Sequence, residues 1–264
     1  MNSNKMRCIA VANEKGGVGK TVTVINLGAA ITLENRSALI VDMDPQANAT
    51  KGLGIDLPEN APSVYDLIMD SKSLKRDDVV LNTRWENLDI IPSTVDLSGA
   101  EVELVDEEGR ENRLKEALVG LDLDYDFILI DTPPSLSLLT VNVFATAKEV
   151  LIPCQTHPYA FAALDELFDT IAAIREGINP DLHVSGIVAT LFDKRTRVGR
   201  KVLNQLQSDM RYRDLMFNTV IRHNTTIAES ADVRKPVVFF RKSSFGYIDY
   251  NDLAEELIAK TGFS

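Results

Sequence analysis

Residues 13–22, NEKGGVGKTV, place Gly16, Gly17 and Gly19 beside two lysines, Lys15 and Lys20. Glycines between a strand and a helix let backbone N–H groups close on a phosphate with no Cβ in the way, and the helix N-terminus adds partial positive charge. Gly19-Lys20-Thr21 fits the end of the general phosphate-loop pattern, in which the lysine reaches the β- and γ-phosphates and the hydroxyl binds Mg²⁺. The first glycine of that pattern falls on Glu14, and Lys15 is a second lysine inside the loop. A dinucleotide loop would need a third glycine where Val22 stands. Gly16 to Val22, including Val18, are therefore candidate contacts of a nucleoside triphosphate.

Two other segments can bring carboxylates to the same place. FILIDTPPS (127–135) is an apolar run ending in Asp131, where a parallel sheet delivers an acid towards a metal, although such an aspartate also serves as a plain turn residue. In LIVDMDPQANAT (39–50), Asp42 and Asp44 are two apart on an ending strand, so both can point to one side. A carboxylate there can order a water for in-line attack or support the metal; the competing reading is a solvated Asx-Pro turn at Asp44-Pro45.

The elements that must position these residues follow from pattern. Short β-branched runs alternate with amphipathic segments, which predicts an α/β fold with a mostly parallel twisted sheet and helices on both faces, as one domain over 1–264. Strands are expected at 9–12, 38–41, 88–91, 127–130, 150–153, 184–191 and 219–221. Helices are expected at 21–34, 110–119, 136–147, 160–176, 198–210 and 249–260. Residues 45–60 read as a mobile loop.

Cys8 and Cys154 each lie in an apolar run, which argues against a disulfide framework or thiolate cluster. No stretch reaches the ~20 apolar residues of a membrane span, and the polar start lacks a secretory apolar run; a cytoplasmic protein is expected, with no membrane partner. His157, His183 and His223 are too scattered for a metal site or a triad. The net charge of −11 argues against a polyanionic partner, but residues 193–242 hold twelve Lys/Arg against five acids. Within that tract Lys194, Arg195, Arg197, Arg200 and Lys201 gather at a helix start, either as a duplex-DNA surface or as a solvated face.

KGGVGKT, VDMDPQANATKGLG, ENLDIIPS, LSGAEVELV, FILIDTPPSLSLLTVNVF and VIRHN occur in that order. With them the chain resembles the ParA/Soj partition ATPases, deviant-Walker relatives of MinD, over nearly its whole length. The resemblance implies a slow ATPase using ATP and Mg²⁺ that forms a homodimer when ATP-bound, with Lys15 reaching the partner subunit's phosphates. It implies that Asp44 orients the attacking water, that Asp42 supports the metal side and that Asp131 is the Walker B acid, with Thr21 on the metal. It further implies nonspecific DNA binding by the dimer, a nucleoid-associated location, and release by a ParB-like activator that stimulates hydrolysis. The 221–224 loop would read the adenine, which makes Arg222 a candidate contact. The chain departs from the family there: IRHNTTIAES (221–230) replaces a typical IPRNVRLSEA, and Ser243, Ser244 and Phe245 stand where arginines are usual. Chromosome, plasmid and protein cargo, or a MinD-like division regulator, are alternatives within this resemblance. A nitrogenase-type reductase would need bridging cysteines that Cys8 and Cys154 do not supply, and nothing suggests the substrate site of an amidoligase.

Overall fold

The computed structural model describes residues 6–70 and 72–260. Its strands are β1 (Arg7–Val11), β2 (Ala38–Asp42), β3 (Leu81–Asn82), β4 (Leu88–Ile91), β5 (Phe127–Asp131), β6 (Glu149–Gln155), β7 (His183–Phe192) and β8 (Met216–Arg222). The helices of the first half are α1 (Lys20–Leu33), α2 (Asn48–Gly52), α3 (Val64–Met69), α4 (Arg76–Val79), α5 (Leu97–Glu103) and α6 (Arg113–Gly120). Those of the second are α7 (Leu138–Thr146), α8 (Ala160–Gly177), α9 (Arg197–Ser208), α10 (Thr225–Asp232), α11 (Val237–Phe240) and α12 (Phe245–Ala259).

The strands form one eight-stranded sheet in the order β3-β4-β2-β5-β1-β6-β7-β8, parallel except for the β3–β4 pair. Each central strand is buried on both faces. Ala10, Leu39, Val41, Ile128 and Ile130 point into one apolar layer, and Ile9, Val11, Ile40 and Leu129 into the other. Such strands read as continuous apolar runs, which is why the central strands stand out in the sequence, and all seven expected strands are present. The additional β3 is a two-residue antiparallel edge, too short for any pattern.

Chain order reverses around β1: α1 carries the chain to β2 on one side, and β6 lies on the other. Ligands of open α/β sheets bind at the carboxyl ends of strands at such a reversal. Register does the rest, because β1, β2 and β5 align so that Val11 pairs with Asp131 and Asp131 with Asp42. The far edge is closed by α12, whose Glu256 carboxylate accepts from the backbone N–H groups of Asn218 and Thr219 at 2.8 and 2.9 Å. This blunts an edge that would otherwise offer unpaired backbone groups.

Residues 45–60 are not a continuous loop. Asn48–Gly52 forms α2, with Ala49, Thr50 and Leu53 buried; the polar composition that suggested mobility serves hydrogen bonds described below. α12 starts at Phe245 rather than Asp249 because the Ser244 hydroxyl accepts from Tyr247 N and caps it. Both cysteines are free and buried, and burial pushes each thiol up to about 12. Among the described residues no helix is long and apolar enough to cross a membrane.

Gly186 in β7 has no room for a side chain: a Cβ there would sit 2.2 Å from the Phe217 ring and 3.0 Å from the Leu215 carbonyl oxygen. Overpacking of this kind costs about 1–3 kcal/mol. Gly186→Ala should therefore lower the unfolding free energy by that amount, read as a lower urea midpoint with an unchanged slope, and a midpoint equal to wild type would mean that the β7–β8 layer yields freely.

Candidate functional site

The loop between β1 and α1 is shaped by its glycines. Gly17 has φ 75° and Gly19, the N-cap of α1, has φ 93°, backbone that a side chain with a Cβ adopts only under strain. Val18 between them is buried, and its carbonyl accepts the Thr190 hydroxyl at 2.8 Å. Its side chain anchors the loop and does not line the cavity above it. Asn13 fixes the other end, donating to Pro153 O at 2.8 Å and accepting from Lys15 N at 3.0 Å.

That cavity has a volume of about 540 Å³. One end is lined by Gly16, Gly17, Gly19, Lys20, Thr21, Val22 and Asp44; the other is an apolar slot walled by Leu191, Ile221, Ile227 and Ala231 with His223 and Asn224 at its rim. A polar cradle joined to an apolar slot suits a nucleotide, phosphates at one end and base at the other.

The two lysines separate clearly. Lys20 is buried, its ammonium donating to Asn13 O at 2.8 Å and Lys15 O at 3.2 Å. Burial lowers its pKa, opposed by the nearby carboxylates of Asp131 and Asp44. Lys15 is half-buried and does not line the cavity; its ammonium stands 6.0 Å from the Tyr159 ring centroid.

The three expected aspartates are brought together. Asp42 is buried and accepts from Thr50 N, Thr50 Oγ1 and Asp44 N at 2.8, 2.7 and 3.2 Å. Burial raises its pKa to about 6, those hydrogen bonds hold it down, and Asp44 adds to the rise. Asp44 is largely buried and accepts from Gln46 N at 2.9 Å. Asp131 is fully buried, and neither carboxylate oxygen has a hydrogen-bond partner among the described residues. Burial drives its pKa well above the usual carboxylate range, the Asp42 and Asp44 charges push the same way, and Thr21 and Lys20 oppose the rise. Two unpartnered buried oxygens beside a threonine hydroxyl and two further acids fit a hard divalent cation, which takes one or two protein oxygens and completes its shell with water and phosphate.

Arg222 requires a correction. Its neighbours Ile221 and His223 line the cavity, but its own side chain turns away. Its Nε and backbone N donate to Asp249 on α12 at 2.9 Å, and its guanidinium lies 3.9 Å from the Phe245 ring centroid. Arg222 is thus a fastener of the base-side loop and not a direct lining residue; a buried carboxylate, Asp249, draws it inward. Residues that the sequence reading missed include Thr50, Thr190 and Asn13. The polar letters of QANAT were a signal for Thr50 and the first letter of NEKGGVGKTV a signal for Asn13, whereas Thr190 reaches the site only through a tertiary contact.

A family model described as AAA domain matches residues 6–184. The chain is 41% identical over 253 residues to the sporulation initiation inhibitor protein Soj of Bacillus subtilis, covering 96% of this chain and 98% of that one. The chain belongs to the ParA/Soj-type ATPases of the MinD/ParA superfamily. The chromosome partitioning protein ParA of Myxococcus xanthus is 39% identical, with 96% and 88% covered. Among solved structures, cobyrinic acid a,c-diamide synthase from Mycobacterium smegmatis with bound ADP and magnesium matches at TM-score 0.80 and 36% identity, covering 96% and 94%. A plasmid partition protein from Borrelia burgdorferi bound to AMPPNP matches at TM-score 0.81 and 26% identity, covering 97% and 100%. This ParA/Soj-type protein is an ATPase whose cofactors are ATP and Mg²⁺.

The raised acids give the site a testable pH signature. A carboxyl whose folded pKa lies above its unfolded value contributes stability at low pH that is lost as pH rises through the folded pKa. For Asp42 that loss runs from its unfolded value up through about 6, and Asp131, raised well above the usual carboxylate range, extends it towards higher pH. The nucleotide-free ATPase should therefore melt higher at pH 5.5 than at pH 7.5, by ~2–4 °C for each kcal/mol recovered. Asp131→Asn should flatten that dependence and abolish the extra stabilisation by Mg²⁺ over ATP alone. Calorimetry showing a wild-type Mg²⁺ response in the variant would remove Asp131 from the metal site.

Proposed function

We propose that this ATPase cycles between a monomer and an ATP-bound homodimer that binds duplex DNA nonspecifically and segregates a DNA cargo, with hydrolysis stimulated by a ParB-like partner. The observation that carries the reading is the division between the lysines. Lys20 fills the role of the in-site cation, buried under the cradle, while Lys15 presents its ammonium outside its own cavity beside Tyr159. Two triphosphates brought face to face repel strongly, and a cation given by the opposing subunit offsets this only when both sites are filled. The names of the relatives, a chromosome partitioning protein and a plasmid partition protein, support the same role.

In this reading the cradle of Gly16, Gly17, Gly19 and Lys20 holds the phosphates, and the apolar slot holds the base. Mg²⁺ held there would neutralise charge that develops on the phosphates. Thr21, Asp42 and Asp131 face that cation, directly or through water. Asp44, lining the cavity and oriented by Gln46 N, holds the attacking water in line with the γ-phosphorus. The DNA surface lies at the start of α9, where Lys194, Arg195, Arg197, Arg200 and Lys201 are all exposed. Arg195 is ion-paired to Asp193 at 2.8 Å; the other four have no ion pair among the described residues, so their charge is available to phosphate.

Lys15→Ala should bind ATP with near-normal affinity yet remain monomeric by light scattering with ATP and Mg²⁺, and Asp44→Ala should accumulate as a dimer with turnover nearly abolished. An ATP-dependent dimer of Lys15→Ala would overturn the trans role.

For DNA, wild type with ATP should retard duplex in a salt-sensitive way. The pair Arg197→Glu and Arg200→Glu, once shown to dimerise, should lower the log–log salt slope by about 0.9 for each phosphate that is no longer neutralised. No retardation by wild type at low salt would leave the cargo-positioning role without a DNA track.

A further inference from the structure

Helical turns run unbroken from Thr94 to Val105 around α5, through Leu97 N to Thr94 O (3.2 Å), Ser98 N to Val95 O (3.1 Å), Leu104 N to Ala100 O (3.0 Å) and Val105 N to Val102 O (3.3 Å). Leu97, Ala100 and Leu104 occupy the inward side and are buried. The outward side is also apolar. Val95, Val102 and Val105 are 71%, 74% and 51% exposed, and with Ser98 they recur at i, i+3, i+7 and i+10, one stripe of a helix. A stripe of β-branched residues on the solvent side contributes nothing to the core and is the pattern of a surface that another chain covers.

The charges around the stripe decide what covers it. Residues 95–108 contain Asp96, Glu101, Glu103, Asp106, Glu107 and Glu108 and no lysine or arginine. Glu103 accepts the Tyr65 hydroxyl at 3.0 Å and Glu107 pairs with Arg113 at 3.2 Å; Asp96, Asp106 and Glu108 have no ion pair among the described residues. A second copy docking by the same face would bring these acids against their own kind. A helix with an apolar stripe and lysine or arginine on its flanks complements both features at once.

The stripe is also wired to the nucleotide site. Ser93, just before these turns, donates its backbone N–H to Thr50 Oγ1 at 3.0 Å, and Thr50 Oγ1 donates to Asp42 at 2.7 Å. All three residues are buried. A helix that shifts α5 therefore pulls on the hydrogen bonds that set the position of Asp42.

We propose that the valine stripe of α5 is the docking face for a basic amphipathic helix of a protein partner, its apolar residues seated on Val95, Val102 and Val105. Assigning that helix to the stimulating partner rests on the cycle proposed above; the docking face itself rests on the stripe and its charges.

The test uses the full chain and a fluorescent synthetic helix with leucine at i, i+3, i+7 and i+10 and lysine on its flanks, beside a scrambled peptide of the same composition. Fluorescence anisotropy at physiological salt should show saturable binding of the patterned peptide and at least ~10-fold weaker binding of the scrambled one, the ratio that 1.4 kcal/mol gives. Val102→Asp should weaken the patterned peptide about as much, although it adds a negative charge. Val119→Asp, at a 77% exposed valine on α6, should not weaken it. Absence of binding, equal binding of both peptides, or no loss in Val102→Asp overturns the proposal. So does a nucleotide-free wild-type dimer in sedimentation that Val102→Asp dissolves, which would make a second copy the occupant. Failure of the peptide leaves the ATP dimer and DNA readings standing, since light scattering and DNA retardation judge those separately.

Discussion

Three carboxylates meet where adjacent parallel strands end, and one buried ammonium stands near them. The registry of β2 with β5 puts Asp42 and Asp131 side by side, Asp44 follows two residues later, and Lys20 is the cation whose charge reaches Asp131 and Asp44. Burying three like charges with one counterion is unfavourable in a low-dielectric interior, and the protein relieves only part of it. Asp42 takes three hydrogen bonds and Asp44 one, and among the described residues neither carboxylate oxygen of Asp131 has a partner. The unrelieved group is the one best placed for a divalent cation, so in the proposed metal site the strain of the free protein and its affinity for Mg²⁺ have one origin.

Much of the surrounding structure follows from this constraint. The short helix α2 exists to bring Thr50 N and Oγ1 to Asp42; its left-handed N-cap, Ala47 at φ 53°, turns the chain tightly enough after Asp44 to do so. Glycine at 17 and 19 lets the loop curl so that Lys20 can lie beneath it. Lys20 then holds the carbonyl of Lys15 at 3.2 Å, so the backbone of residue 15 belongs to its own site while its side chain does not. The two lysines of the loop differ in burial, and in the proposed dimer that difference separates binding within a subunit from contact between subunits.

The sequence disclosed most where burial was symmetrical. β1, β2, β5 and β6 are covered on both faces, so their apolar runs identify them without reference to partners. Asp42, Asp44, Asp131 and the glycine loop were legible because strand ends and Gly-rich turns carry positional meaning on their own. The short helices were not. α2, α3 and α5 have five to seven residues, too few for a 3.6-residue period to rise above noise, and polar Asn48 and Thr50 look like loop until their acceptor is known. Arg222 failed for a related reason. Its position beside the base slot is visible in the sequence, but the pull of Asp249, which is 27 residues away and buried, is not.

The net charge of −11 conceals two surfaces that act almost independently. The acidic turns of α5 follow β4 and the cationic start of α9 follows β7, near opposite edges of the sheet, with β2, β5, β1 and β6 between. Five strand spacings make roughly 24 Å, about three times the ~8 Å Debye length at physiological salt. Over that distance the acids near α5 scarcely weaken the pull of α9 on a polyanion, and the cations of α9 scarcely repel a basic helix from α5. An acidic protein can in this way engage a polyanion and a polycation together. The nucleotide site lies between the two surfaces at the same ends of the strands, so in the proposed cycle the nucleotide state reaches both without either competing for the other's ligand.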